Sequence, residues 1–293
     1  YMTSRDNFTG ADSLNALFPW QSGSWPTDWP ATIQQKWNAV LNRLPHRRGA
    51  AHAQPEDTTV INFDTVGAVN TWSQNAHDFS AQHIEELTSM LQLCQENGTR
   101  LLLISAPKTT LDVVSYETYF DDYAYFKQLT AQYGASYYDF NLAKPELFEN
   151  KEPDYHKDFT HMNAAGGHAF SLSMAKFLAM LDAGQDVESL FETPSEYLAA
   201  VNYITNVYLT PEVHPDKILL LAGSYHGPSV QAEYEFWVKA PGESEYSRFS
   251  AYSTRSWTEY AATEHGTYQF RVNARIVGSS ADFERYYECS VDF

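Results

Sequence analysis

Four residues that could do chemistry stand within one short stretch, DYHKDFTHMN: Asp154, His156, Asp158 and His161. Asp158 and His161 are three apart and come just before Asn163, where an apolar-striped helix is read over 163–181. A carboxylate that holds one nitrogen of an imidazole leaves the other to act as a general base, and a nearby serine then completes an acyl-transfer site. The same four residues admit a metal, since two carboxylates and two imidazoles are all ligand types. Zinc sites usually gather ligands from several elements, however, and this loop is crowded with charge. Taken alone the D-x-x-H spacing is a weak signal. His168, inside the helix, reads as packing or solvent-facing.

A scaffold has to hold the pair. Residues 80–97 form an amphipathic pattern closed by Gly98, a residue suited to a left-handed helix cap. RLLLIS (100–105) then reads as a strand buried on both faces, as in a parallel sheet covered by helices. A second helix is expected over 121–133, closed by Gly134, and a second strand over 136–140 (SYYDF). This alternation is a βα pattern, in which functional groups stand at the carboxyl ends of the strands. Asp158 and His161 follow the second strand, where such groups belong. Residues 1–80 are poor in strands. They offer Trp20, Trp25 and Trp29 among prolines, a helix over 31–44 and one short strand over 58–63.

After an acidic, loop-like stretch at 183–200, strands arrive in series over 203–209, 217–222, 231–238, 246–252, 266–276 and 284–292. Short alternating strands separated by Pro241–Gly242 and Gly278–Ser279–Ser280 suggest an immunoglobulin-like sandwich. The expectation is therefore an α/β fold. A partial three-layer parallel-sheet domain takes 1–182, a linker takes 183–202, and a small all-β sandwich takes 203–293.

The totals narrow the function. The chain has 293 residues and a net charge of −18, which argues against nucleic acid, because a phosphate backbone rewards clustered Lys and Arg. Its basic cluster, His46–Arg47–Arg48, reads as a solvated loop. The 20 tyrosines point toward carbohydrate-facing, cell-surface or β-sandwich proteins. Two cysteines, Cys94 and Cys289, build neither a disulfide framework nor a metal spacing, and Cys94 falls on an apolar helix stripe as a buried free thiol. No cofactor is implied, and no apolar run reaches membrane-spanning length.

The block DFTHMNAAGGHAF resembles the last sequence block of SGNH/GDSL-type hydrolases. Upstream, QENGTRLLLISAPKT and YGASYYDFN are similar to the second half of cell-surface SGNH-like proteins related to alginate and teichoic-acid acyl-modifying enzymes. The likeness covers roughly residues 60–182. It implies a Ser-His-Asp triad in which Asp158 orients the ring and His161 is the base. It also implies a bacterial extracytoplasmic or cell-surface location, and acylated carbohydrate or cell-envelope glycopolymer as partner. The C-terminal YEFWVKAPGESEY and GTYQFRVNARIVGSSADFERY resemble triple-tyrosine sandwich modules, which places Tyr234, Trp237, Tyr268 and Phe270 on aromatic core strands.

The family's nucleophile sits in a Gly-Asp-Ser or Gly-Ser-Ser turn after a hydrophobic strand, and its oxyanion-hole Gly and Asn have no match in this chain. GADS at 10–13 imitates the turn with one residue inserted, so Ser13 is a candidate, although helix capping explains it better. Ser224, after ILLLAG, more simply ends a sandwich strand. The expectation is that the chain begins inside the domain and that its serine lies upstream of Tyr1. The alternative is a non-catalytic cell-surface protein that binds carbohydrate or protein through a degenerate domain of this type.

Overall fold

In a computed structural model of the protein the described residues are 57–69 and 79–293. Ser13, the three N-terminal tryptophans, the helix expected over 31–44 and the basic cluster at 46–48 lie outside them. Among the described residues one compact unit holds Phe79–Leu102 and Leu129–Ser136, and the other holds 57–69, Leu103–Gln128 and Tyr137–Phe293.

The first unit is built on helix α1 (Ala81–Glu96), whose Leu91 is fully buried. Gly98, at φ +63°, ends it in the left-handed conformation that a Cβ disfavours, and Thr99 N–H reaches back to the Cys94 carbonyl at 2.8 Å. Cys94 is a free, half-buried thiol.

The larger unit overturns the expected three-layer parallel domain. Among the described residues one small parallel sheet is present, and it has two strands, β1 (Leu102–Ser105) and β2 (Ser136–Asp139). All four residues of β1 stay partly exposed, so RLLLIS is not enclosed between two helical layers. The apolar run misled because periodicity alone does not separate a strand buried on both faces from one in a short ribbon. The stretch read as a strand over 58–63 has no regular structure before a 3-10 turn at Phe63–Thr65.

Between the two strands run α2 (Thr110–Ser115) and α3 (Tyr119–Gln132). After β2 the chain makes a long loop and enters α4 (Ala164–Asp182). The helix lies on β2 and the 3-10 turn after it through aromatic rings: Phe140 of the turn meets Phe170 at 5.1 Å and Phe177 at 5.4 Å, and Tyr138 of β2 meets Phe177 at 4.9 Å, all edge-on. Each such ring buried is worth roughly 2–3 kcal/mol, and the cluster holds α4 against the end of β2.

The remaining strands form two antiparallel, sandwich-like sheets. Helix α5 (Pro194–Ala200), opened by a Thr193/Glu196 capping box, leads into them. One sheet orders β3 (Ile204–His214), β4 (Lys217–His226) and β7 (Trp257–Tyr260) as β3-β4-β7. The other orders β5 (Ala232–Lys239), β6 (Ser247–Ser253), β8 (Thr267–Ile276) and β9 (Arg285–Asp292) as β6-β5-β8-β9. Their shared core holds Val207, Ile218, Leu220, Phe236, Tyr268 and Phe270. Tyr234, Tyr268 and Phe270 are buried as expected. Trp237 is not: alternation turns it to the opposite face, where its indole donates to Glu235, and Phe236 takes the core position. Among the described residues no helix is long and apolar enough to cross a membrane.

Candidate active site

The loop between β2 and α4 folds back on itself. His156 and Met162 form an isolated antiparallel bridge, and Lys157 N–H donates to the His161 carbonyl at 3.0 Å, so residues 156–162 make a small hairpin with Asp158 and His161 at its tip. Thr109 braces the hairpin from one side. Its hydroxyl donates to the Phe159 carbonyl at 2.6 Å, while the same oxygen accepts Asp112 N–H and caps α2.

Asn163 braces it from the other side. Its Oδ1 caps α4 by accepting Gly166 N–H at 3.0 Å, and its Nδ2 donates to the carbonyls of Asp154 (2.7 Å) and Thr59 (3.0 Å). One buried side chain thus joins the hairpin, the helix and the 57–62 segment. Gly166 is required in that helix start, since a Cβ there would stand 2.3 Å from the Tyr155 carbonyl oxygen.

On this mount the Asp158 carboxylate meets the ring of His161. Nδ1 lies 3.0 Å from Oδ2 and 3.1 Å from Oδ1, and Oδ1 also accepts the backbone N–H of Thr160 (2.8 Å) and of His161 (2.6 Å). Partial burial works against the carboxylate's charge, but the two amides and the imidazole outweigh it and hold Asp158 below the ordinary aspartate range. An ionised carboxylate at Nδ1 keeps the ring proton there and makes Nε2 the basic nitrogen, the arrangement that general-base catalysis uses.

His156 does something different. Its ring is fully buried, and Nε2 lies 2.8 Å from Asn150 Oδ1. Burial lowers its pKa to about 4, against a smaller opposing pull from Asp158, so the ring is neutral. It faces the core while the pair faces solvent, and Asp154 is exposed. The four-ligand metal reading fails on this geometry, and no group of three or more His, Cys, Asp or Glu that could hold a metal occurs among the described residues.

No protein-family model and no curated protein matches the chain.

Of the two candidate nucleophiles, Ser13 lies outside the described residues. Ser224 stands inside β4 with its hydroxyl 2.8 Å from that of Tyr234, in the sandwich. It serves as a cross-sheet hydrogen-bond partner.

Two polar clusters escaped the reading of the sequence. Asp139, buried at the carboxyl end of β2, accepts the Tyr119 hydroxyl at 2.7 Å and both the backbone N–H and Nδ2 of Asn141, whose Oδ1 accepts Lys108 N–H at 2.8 Å. Burial raises its pKa despite those bonds. The cluster is internally satisfied and braces the ends of β1 and β2. The second centres on Glu152, which accepts the backbone N–H and the hydroxyl of Thr110 on one oxygen. An aspartate closing an otherwise aromatic strand was the available signal for the first. Glu152 has none, because its partner Thr110 lies 42 residues earlier.

Proposed function

We propose that the protein is a serine-type esterase or O-acyltransferase acting on acylated carbohydrate or cell-envelope polymer outside a bacterial cytoplasm, with Asp158 orienting His161 and His161 as base. The observation that carries this reading is the contact from His161 Nδ1 to the Asp158 carboxylate on a doubly braced hairpin. The likeness of DFTHMN to the terminal hydrolase block supports the same roles. The nucleophilic serine is left unassigned.

In the proposed reaction His161 Nε2 takes the serine proton as Oγ bonds to the ester carbonyl carbon. The tetrahedral intermediate then expels the sugar oxygen, which leaves with that proton. Water gives hydrolysis in the second half, and an acceptor hydroxyl gives transfer. The test is acetate release from an acetylated oligosaccharide by the full-length protein, expected from its wild type and lost in its His161→Ala variant.

A second reading, a non-catalytic binding protein, is favoured by one observation: Asp158 Oδ1 already accepts two backbone amides, a structural use that persists without chemistry. Acetate release unchanged by His161→Ala, or none from either protein, would favour it.

A further inference from the structure

Beside the hairpin, within the larger unit, a cleft of about 330 Å³ opens between the 61–64 segment, the loop at Glu152 and the start of the sandwich. That volume lies at the low end of the range for ligand clefts, about 300–1,000 Å³. Its walls are fixed before any ligand arrives. Ile61 N–H donates to the His156 carbonyl at 2.9 Å, and Asn62 caps the 3-10 turn that sets Phe63 and Asp64. Thr205 hydroxyl donates to the Tyr225 carbonyl at 2.8 Å, and Arg285 Nε to the Ile204 carbonyl at 3.3 Å.

The lining carries more polar capacity than it uses internally. Glu152 takes its hydrogen bonds on Oε1, and among the described residues Oε2 has no hydrogen-bond partner. Arg285 stands near enough to Glu152 to favour its charge, yet among the described residues no ion pair within 4.0 Å joins it to Glu152 or to Asp64. Burial nevertheless raises the Glu152 pKa to about 7. Two rings complete the wall: Phe63, with the guanidinium carbon of Arg285 at 5.9 Å from its centroid, and Tyr203, 42% exposed.

Two carboxyl groups oppose an anionic ligand and the guanidinium opposes a cation. A neutral ring bearing several hydroxyls suits both signs at once, since a carboxylate accepts from hydroxyls, a guanidinium donates to them in a fork, and the apolar face of such a ring covers an aromatic. We infer that the cleft walled by Phe63, Asp64, Glu152, Tyr203, Thr205 and Arg285 binds a neutral sugar unit. The inference rests on the carbohydrate class of the proposed function and not on its chemistry. The cleft shares its loop with the catalytic pair, Glu152 lying six residues before Asp158.

The test is ligand-observed NMR titration of the whole protein with methyl glucoside, methyl galactoside, methyl mannoside and N-acetylglucosamine, with galacturonate and glucosamine as charged comparisons. At least one neutral sugar is expected to bind with a Kd of about 1 mM or tighter. Glu152→Ala and Arg285→Ala each weaken it by at least about tenfold, the scale of one charge-assisted hydrogen bond. Glu152→Gln and Arg285→Lys, checked by circular dichroism, stand in should the alanine variants fail to fold, with the same direction expected. His161→Ala keeps the binding even where it abolishes turnover, which separates this inference from the catalytic one. Absence of binding by any neutral sugar, binding indifferent to both cleft positions, or preference for a charged counterpart overturns it.

Discussion

The Asp158 carboxylate accepts the backbone N–H of His161 at 2.6 Å and lies 3.0 Å from Nδ1 of the same residue. One side chain therefore sets both the turn of the hairpin tip and the orientation of the imidazole upon it. The two jobs can be separated by substitution, because an amide keeps an oxygen for the backbone donors and loses the charge that holds the ring proton on Nδ1.

Asp158→Asn is accordingly expected to preserve the thermal midpoint and to lower kcat for an acetylated oligosaccharide by about a thousandfold with KM little changed, the scale of losing the orienting carboxylate of such a pair. Steady-state kinetics beside a melting curve checks this. A large loss of stability with unchanged kcat would mean that the carboxylate is structural only.

Ser224→Ala is expected to leave ester turnover intact and to cost about 1 kcal/mol of stability, the net value of one side-chain hydrogen bond to the Tyr234 hydroxyl. Urea denaturation and an esterase assay on the same sample measure both. A dead but folded variant would return Ser224 to the list of nucleophiles.

Two contributions to the pH dependence of stability oppose each other. Folded Glu152 keeps its proton to about pH 7, whereas the unfolded chain releases it near 4.5, so the fold binds more protons in that window and loses stability as pH rises through it. Folded His156 stays neutral down to about pH 4, whereas the unfolded chain takes up a proton near 6.5, so stability is lost as pH falls from 6.5 to 4. Between about 4.5 and 6.5 the two offset each other. Glu152→Gln should therefore make the unfolding free energy climb more steeply with pH there, by up to about 1.4 kcal/mol per pH unit, and remove the Glu152 share of the fall from 6.5 to 7. A melting-temperature profile with the same slope in both proteins would contradict this.

Asn163→Ala removes a helix cap and two donors to buried carbonyls, and Gly166→Ala forces a Cβ to 2.3 Å from a backbone oxygen. Each is expected to cost about 2–3 kcal/mol and to loosen the hairpin, so that turnover falls without contact with the reacting atoms. Hydrogen exchange at Thr160 and His161, faster in both variants, reads the loosening directly.

Helices α1, α3 and α4 were legible because their ends are written locally, whereas α2 was not read. Gly98 and Gly134 close two of them at positive φ, and Asn163 opens a third. The alternating strands from β3 onward were legible for the same reason, apart from the four-residue β7. What the chain did not reveal was pairing between distant segments. RLLLIS carries no mark that, among the described residues, its one partner strand is SYYD, so a two-stranded ribbon passed for a buried layer. Asp158 and His161 were legible because they stand only three positions apart. The braces at Thr109 and Thr59 and the cleft formed by Glu152 and Arg285 depend on contacts across fifty residues or more, and side-chain type alone does not announce these.

The most direct test of the catalytic account is the rate at which a fluorophosphonate probe forms a serine adduct in the full-length protein and in its His161→Ala variant, with the labelled peptide identified by mass spectrometry. The account expects one serine to be labelled in the wild type and its labelling to slow by at least about a hundredfold in the variant, as loss of the general base requires. No adduct in the wild type, or the same rate in both proteins, would contradict it.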